Sequence, residues 1–324
     1  MLSSWRLIGF LLLSLIWGST WAAIRVVVEH MPPLRSVSLR FLIASVILLP
    51  VMWLSGARRP RGREWGVLGT LSVLTIVIPF SVTAWAEGRI SSGVTSILFS
   101  TSPLVTAWME PHLGRRTQRR AVPRAAHLAM LFGFGGALLV LTGVVARSSA
   151  QAAGAAAVLA MVVLGSVTVP LARPEIREIP LVTVTAVQCA MSAAVLAAGS
   201  LVLEHGRPTD WTRSSVLALI FLGVFSSAVG FLLFYWLMVE LRPYQLAARQ
   251  LIMPIVAVAE GAILLHEAHP WTMLVGTGMV VVSMFWVLRI DGGDVLPDGR
   301  PNAGRAPLRG VTPSGGPPVG RHEI

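Results

Sequence analysis

Charged residues are spaced so widely along this chain that the gaps between them match the thickness of a membrane. Uncharged runs cover residues 7–24, 41–57, 65–86, 90–109, 125–146, 148–172, 179–203, 214–239 and 268–288. An α-helix rises about 1.5 Å per residue, so roughly 20 apolar residues cross the ~30 Å hydrocarbon layer. A further apolar stretch, about 244–265, is interrupted only by Arg249 and Glu260. The runs therefore predict an all-α membrane protein with ten transmembrane helices. Ten-residue segments of alternating polarity, which a membrane barrel needs, do not occur.

Composition closes off the soluble alternatives. Hydrophobic residues make up 54% and charged residues 13%, about half the charged share of a soluble domain. The net charge of +11 would suit nucleic acid only on a polar face, and here the basic residues fall between apolar runs, so no nucleic-acid partner is expected. A single cysteine, Cys189, excludes an internal disulfide framework and a Cys-rich metal site. No cofactor or metal is expected: HExxH, GxSxG and P-loop patterns are absent, and no His/Cys/carboxylate cluster has metal spacing. Gly133-x-Gly135-Gly136 and Gly276-x-Gly278 lie inside apolar runs with no strand before them, so they read as close helix packing.

The first run follows Arg6 but exceeds the usual signal-peptide core, and nine more spans come after it; it reads as a retained helix. All 26 basic residues are Arg. Counted in alternate loops, 18 fall on one side and 5 on the other, which puts both termini in the cytoplasm. The Lys-free basic set and the heavy Ala, Gly and Val usage point to a GC-rich bacterial genome, hence a multi-pass protein of the inner membrane. Residues 290–324 carry eight Gly and six Pro; such a segment buries too little apolar surface to fold and reads as a disordered cytoplasmic tail.

The second half repeats the first. A shift of 151 residues superposes Leu71 on Leu222, Val73 on Val224, Phe80 on Phe231, Trp85 on Trp236 and Pro103 on Pro254. Arg40 and Gln188 each lie eight residues after a loop proline, Pro32 and Pro180. The units are residues 1–147 and 148–289. Five helices per unit is an odd number, so the second unit enters from the opposite face and the repeats are inverted. Secondary transporters use that arrangement to open one midplane site to either side in turn.

Several motifs then carry a resemblance. Trp17-Gly18-Ser19-Thr20-Trp21, Met31-Pro32-Pro33 and Leu39-Arg40-Phe41 are similar to the first two helices of EamA-type drug/metabolite transporters. Ser102-Pro103-Leu104, Met253-Pro254-Ile255-Val256-Ala257 and Leu264-Leu265-His266-Glu267 fit the same pattern. The resemblance covers roughly residues 5–289. It implies a ten-helix transporter of small metabolites or drugs, often an exporter, with a central cavity between the repeats. One departure stands out: the family often has Gly-Glu after helix four, and this chain reads Leu113-Gly114-Arg115-Arg116.

Ionisable groups inside apolar spans are candidate sites by default. Four break the runs: Arg40, Glu110, Arg249 and Glu260. By depth they form two pairs, Glu110 with Arg249 near the cytoplasm and Arg40 with Glu260 near the periplasm, which would act as alternating gates. The competing reading is snorkelling to the nearer interface. Glu110 and Glu260 are the candidates for proton coupling, and proton antiport and passive facilitation both fit. Polar groups at middle depth are Ser19, Thr20, Ser100, Thr101, Ser102 and Gln250, with Trp17, Trp85, Tyr235 and Trp236 as apolar walls of a substrate cavity. Helix packing and interfacial anchoring compete for the same residues. Pro103 and Pro254 would break their helices and free carbonyls there. The expected solute is small and neutral, zwitterionic or amphipathic. No catalytic residue is assigned; a membrane-embedded enzyme and a non-transporting scaffold are the alternatives, and oligomeric state is not legible.

Overall fold

The structure, a computed structural model, describes residues 4–113, 124–145, 148–176, 178–241, 249–267 and 270–292. The segment 114–123, with its arginines, and the tail from residue 293 lie outside the described residues. Among those described there is helix and no strand.

The helices follow the uncharged runs. They are α1 (Ser4–His30), α2 (Pro33–Leu54), α3 (Arg63–Glu87), α4 (Ser92–Ser100 and Ser102–Leu113), α5 (Arg124–Val145), α6 (Ser149–Ile176), α7 (Leu181–Leu203), α8 (Arg213–Ile220, Phe221–Val229 and Gly230–Glu240), α9 (Arg249–Leu264) and α10 (Trp271–Gly292). Among the described residues, six helices are long and apolar enough to cross a membrane, and shorter apolar stretches occur at His127–Thr142 and Trp271–Val287. The polarity of the bundle is that of a membrane protein. Leu11, Leu15, Val46, Leu128, Leu138, Val195 and Leu217 are exposed, while Ser14, Ser38, Ser72, Ser96, Thr183 and Ser283 are buried. Most of these buried hydroxyls, Ser96 excepted, return to backbone: Ser14 Oγ donates to Phe10 O at 2.7 Å and Ser72 Oγ to Leu68 O at 2.7 Å. In hydrocarbon no water can satisfy such groups, so the helix backbone does.

Among the described residues, two helices contain π-helical turns, Val73–Val77 in α3 and Phe221–Val229 in α8. The shift of 151 residues carries the first stretch onto residues 224–228, inside the second. The repeat read from side chains is thus present in the backbone as well. Packing is reciprocal in the same sense: α1 packs on α9 as α6 packs on α4, while α2 meets α7 and α5 meets α10. The α2–α7 pair runs antiparallel. At one end Glu204, just past α7, accepts from Leu34 N (2.8 Å) and Arg35 N (2.9 Å), two orphan donors in the first turn of α2. At the other, Thr183 Oγ1 in the first turn of α7 donates to Arg58 O (2.8 Å), and Arg58 itself donates to Glu178 O (2.9 Å).

The glycine runs serve packing. A Cβ on Gly136 would lie 2.7 Å from Gly276 O, and one on Gly276 2.5 Å from Gly136 O, so α5 and α10 touch backbone to backbone. Pro103 follows a real interruption: α4 breaks at Thr101, whose hydroxyl donates to Leu98 O at 2.6 Å. Pro254 does not break its helix as expected, because α9 runs through it unbroken. One missing donor near the beginning of a helix costs a single bond, and Pro254 is buried.

Candidate functional site

Where α3, α7 and α8 meet, the bundle leaves a cavity of about 150 Å³. Thr75, Ile76 and Phe80 line it from α3, Thr185, Gln188 and Cys189 from α7, and Phe231 from α8. Thr75 and Ile76 belong to the π-helical stretch of α3. Phe80 and Phe231 are the pair superposed by the internal repeat, so the cavity lies between equivalent rings of the two halves. Its polar groups are arranged to receive something. Thr75 Oγ1 donates to Leu71 O (2.7 Å) and Thr185 Oγ1 to Leu181 O (2.8 Å). With their protons so used, the two hydroxyls offer lone pairs to the cavity. Gln188 is 7% exposed, and its amide makes no hydrogen bond among the described residues. An amide that faces the cavity without a protein partner can take one from a solute there.

Arg40, the counterpart of Gln188, behaves differently. It is only 4% exposed. Its Nε donates to Ser227 Oγ (2.8 Å) and its Nη2 to Ser226 Oγ (2.9 Å), both in the π-helical stretch of α8. Its guanidinium also lies over Phe80 at 4.8 Å and Phe41 at 5.4 Å. The chain of donors continues. Thr20 Oγ1 lies 2.8 Å from Ser226 Oγ and gives its own proton to Ile16 O (3.0 Å), so Ser226 must donate to Thr20. Snorkelling therefore does not describe Arg40: its charge points into the bundle and is held by hydroxyls.

Other predicted residues divide into two groups. Trp17, Ser19, Thr20, Arg249 and Glu260 gather where α1, α8 and α9 meet. Trp17 Nε1 donates to Ser226 O (3.1 Å), Ser19 Oγ to Glu260 Oε1 (2.6 Å), and the Arg249 guanidinium lies 5.1 Å from the Trp17 ring and 5.0 Å from that of Phe234. Glu260 and Arg40 thus have separate partners and are not paired with each other. The remaining residues stand apart from the cavity. Ser100 is buried and bonded to Ser96 O (2.8 Å), Ser102 lends its carbonyl to Ser166 Oγ (3.4 Å), and Gln250 is half-buried in α9. Trp85 and Trp236 are 36% and 40% exposed; Arg89 covers the first at 3.7 Å, and the second packs on Gly9. The Glu110 and Tyr235 side chains lie outside the described residues.

Two features escaped the sequence reading. The cavity lining is one, although the repeat pairing of Phe80 with Phe231 and of Arg40 with Gln188 was a usable signal for it. Glu87 is the other. It is the last residue of α3 and fully buried, and Arg25 donates to its backbone carbonyl. Thr95 lies beside its carboxyl but donates to Ser91 O at 3.2 Å.

Comparison with known proteins agrees with this architecture. A family model described as the EamA-like transporter family matches residues 4–142 and again residues 152–289. The chain is 26% identical over 252 residues to the protein PagO of Salmonella typhimurium, covering 77% of this chain and 82% of PagO. It is 22% identical over 284 residues to YoaV of Bacillus subtilis, named an uncharacterized transporter, covering 86% and 95% of the two chains. YedA of Escherichia coli, named an uncharacterized inner membrane transporter, is 24% identical over 279 residues, covering 85% and 88%. A solved crystal structure shares the fold with a TM-score of 0.63 and 20% identity, covering 90% of this chain and 98% of the other.

Proposed function

The chain belongs to the EamA-like transporter family, and from that premise we propose that it moves a small solute through the cavity between Phe80 and Phe231. It is a multi-pass membrane protein of the drug/metabolite transporter type. In our reading ten helices cross the bilayer as two inverted units, residues 1–147 and 148–289, followed by a cytoplasmic tail, 290–324. The antiparallel course of α2 and α7 and the π-helical turns at equivalent places support that division. Alternating access follows from it: each unit adopts the other's conformation, and the shared site opens to the opposite side.

One observation carries the proposal. A cavity of about 150 Å³ stands at the repeat interface, lined by paired rings, two hydroxyls and an amide without a protein partner. An apolar cavity of that size holds a molecule as large as benzene, so the solute, or the part of it bound there, is about six to eight heavy atoms. A scaffold that transports nothing would fill this space with side chains. We assign the direction as export across a bacterial inner membrane, with both termini cytoplasmic, which the distribution of arginines supports.

Purified protein in liposomes, screened by counterflow over amino acids, nucleosides and cationic drugs, tests this reading. At least one solute should exchange, and Gln188→Ala should raise its half-saturation concentration several-fold. Exchange of none, or exchange indifferent to Gln188, Phe80 and Phe231, would remove the site. Imposing a pH gradient on the same liposomes separates proton antiport from facilitated diffusion, and fused reporters at each terminus test the orientation.

A further inference from the structure

Arg40 brings a positive charge into the bundle beside the cavity, and among the described residues no carboxylate meets it. Its partners are the neutral hydroxyls of Ser226 and Ser227 and the faces of Phe80 and Phe41. Hydroxyl dipoles and ring faces lower the cost of a buried cation but leave its charge uncancelled. Buried charges in folded proteins are normally paired, so this one has room for an anion.

The surroundings show where that anion would lie. Arg40 lines a small void of about 10 Å³ together with Ser36, Ala84 and Phe80, enough for roughly one water. Phe80 also lines the larger cavity. The ring thus separates the guanidinium from the cavity, meeting Phe41 edge-on at 5.1 Å. Cys189 of α7 lines the same cavity. Were the Phe80 ring to swing aside, the two spaces would join and the charge would face whatever the cavity contains.

We infer that the solute carries a single carboxylate, with that group toward Arg40 and its apolar part between Phe80 and Phe231. The inference rests on the cavity being the transport site and adds the class of solute. One guanidinium matches one carboxylate; a phosphate dianion would leave charge uncancelled. A cation is disfavoured by the same field.

The chain supplies its own reporter, because Cys189 is the sole cysteine and lines the cavity. In the purified full-length protein, the rates of Cys189 modification by a sulfonate-bearing and a trimethylammonium-bearing methanethiosulfonate are compared, each relative to a free thiol. The anionic reagent should be favoured about tenfold or more, as one unscreened charge at short range requires. That preference should vanish in Arg40→Gln and persist in Arg40→Lys. Benzoate should slow the reaction, while its neutral and cationic counterparts benzamide and benzylamine should not. Equal relative rates in the native protein, or protection by benzylamine matching that by benzoate, would overturn the inference, and neither result depends on a variant folding. If neutral methyl methanethiosulfonate fails to reach Cys189 in the folded protein, the cavity itself is not a site, and the transport reading falls with it.

Discussion

Ser19 Oγ lies 2.6 Å from Glu260 Oε1, so the one carboxylate in α9 is held by a hydroxyl of α1 and, among the described residues, by no cation. The two helices come close enough for this because Gly18 faces α9: a Cβ there would sit 2.7 Å from Val256 Cβ. Removing either partner should cost about 1 kcal/mol in the half-buried setting of Glu260, the net worth of a typical hydrogen bond. Ser19→Ala combined with Glu260→Ala should be non-additive by a similar amount in a thermal-unfolding cycle in detergent. Strict additivity would mean that the contact contributes nothing.

The Arg40 network should be far more sensitive. Ser226→Ala with Ser227→Ala leaves two guanidinium donors buried without acceptors, a loss of about 3 kcal/mol or more. The same pair of changes in an Arg40→Gln background should cost much less, because the charge that needed the hydroxyls is gone. Denaturant titration in micelles reads both, and equal costs in the two backgrounds would contradict the network.

Gly136 and Gly276 should tolerate no side chain. Ala at either position places a methyl within 2.7 Å of backbone on the neighbouring helix, where nothing can move aside cheaply. Gly278 and Gly165, with nothing within 4 Å of a built Cβ, serve as controls, and Ala there should be neutral or slightly stabilising. Folded yield by fluorescence-detected size exclusion should fall sharply for the first pair only.

Glu204 should matter to α2 although it belongs to the end of α7. It accepts from Leu34 N, Arg35 N and Ser200 Oγ within 2.8–2.9 Å. Glu204→Ala should therefore cost about 2–3 kcal/mol, as expected when a buried anion leaves a helix N-terminus. Glu204→Gln keeps acceptors for at least one amide and should lose roughly half as much. Melting temperatures in detergent, compared with those of Arg207→Ala as a loop control, check the order.

Helix positions were legible for a simple reason. A charge does not sit in hydrocarbon unaided, so the uncharged run 179–203 and the helix Leu181–Leu203 nearly coincide. The site was less legible. In an apolar helix any Thr can close on its own backbone, and Thr75 does so while also facing a cavity. Which hydroxyl meets open space depends on the π-helical turns, which rotate the residues that follow and have no sequence signature. Arg40 lies in the second turn of α2, yet its position along the helix says nothing about burial. The loop after α7 is tied to that end of the helix, where Arg35 donates to Arg207 O and Thr209 Oγ1, and Arg40 one turn further on is enclosed by protein.

The unequal π-helical stretches have a consequence for energetics. Five residues of α3 adopt the wider turn against nine of α8. In a protein that alternates by exchanging the conformations of its halves, identical halves would populate the two facings equally. These halves are not identical, so under the proposed alternation the exchange would carry a standing free-energy offset even with the cavity empty. The unloaded population would then favour one face, and every 1.4 kcal/mol of offset would make the opposite face about tenfold rarer. A solute that binds both facings alike leaves that imbalance untouched; only one that grips the rarer facing more tightly can redress it.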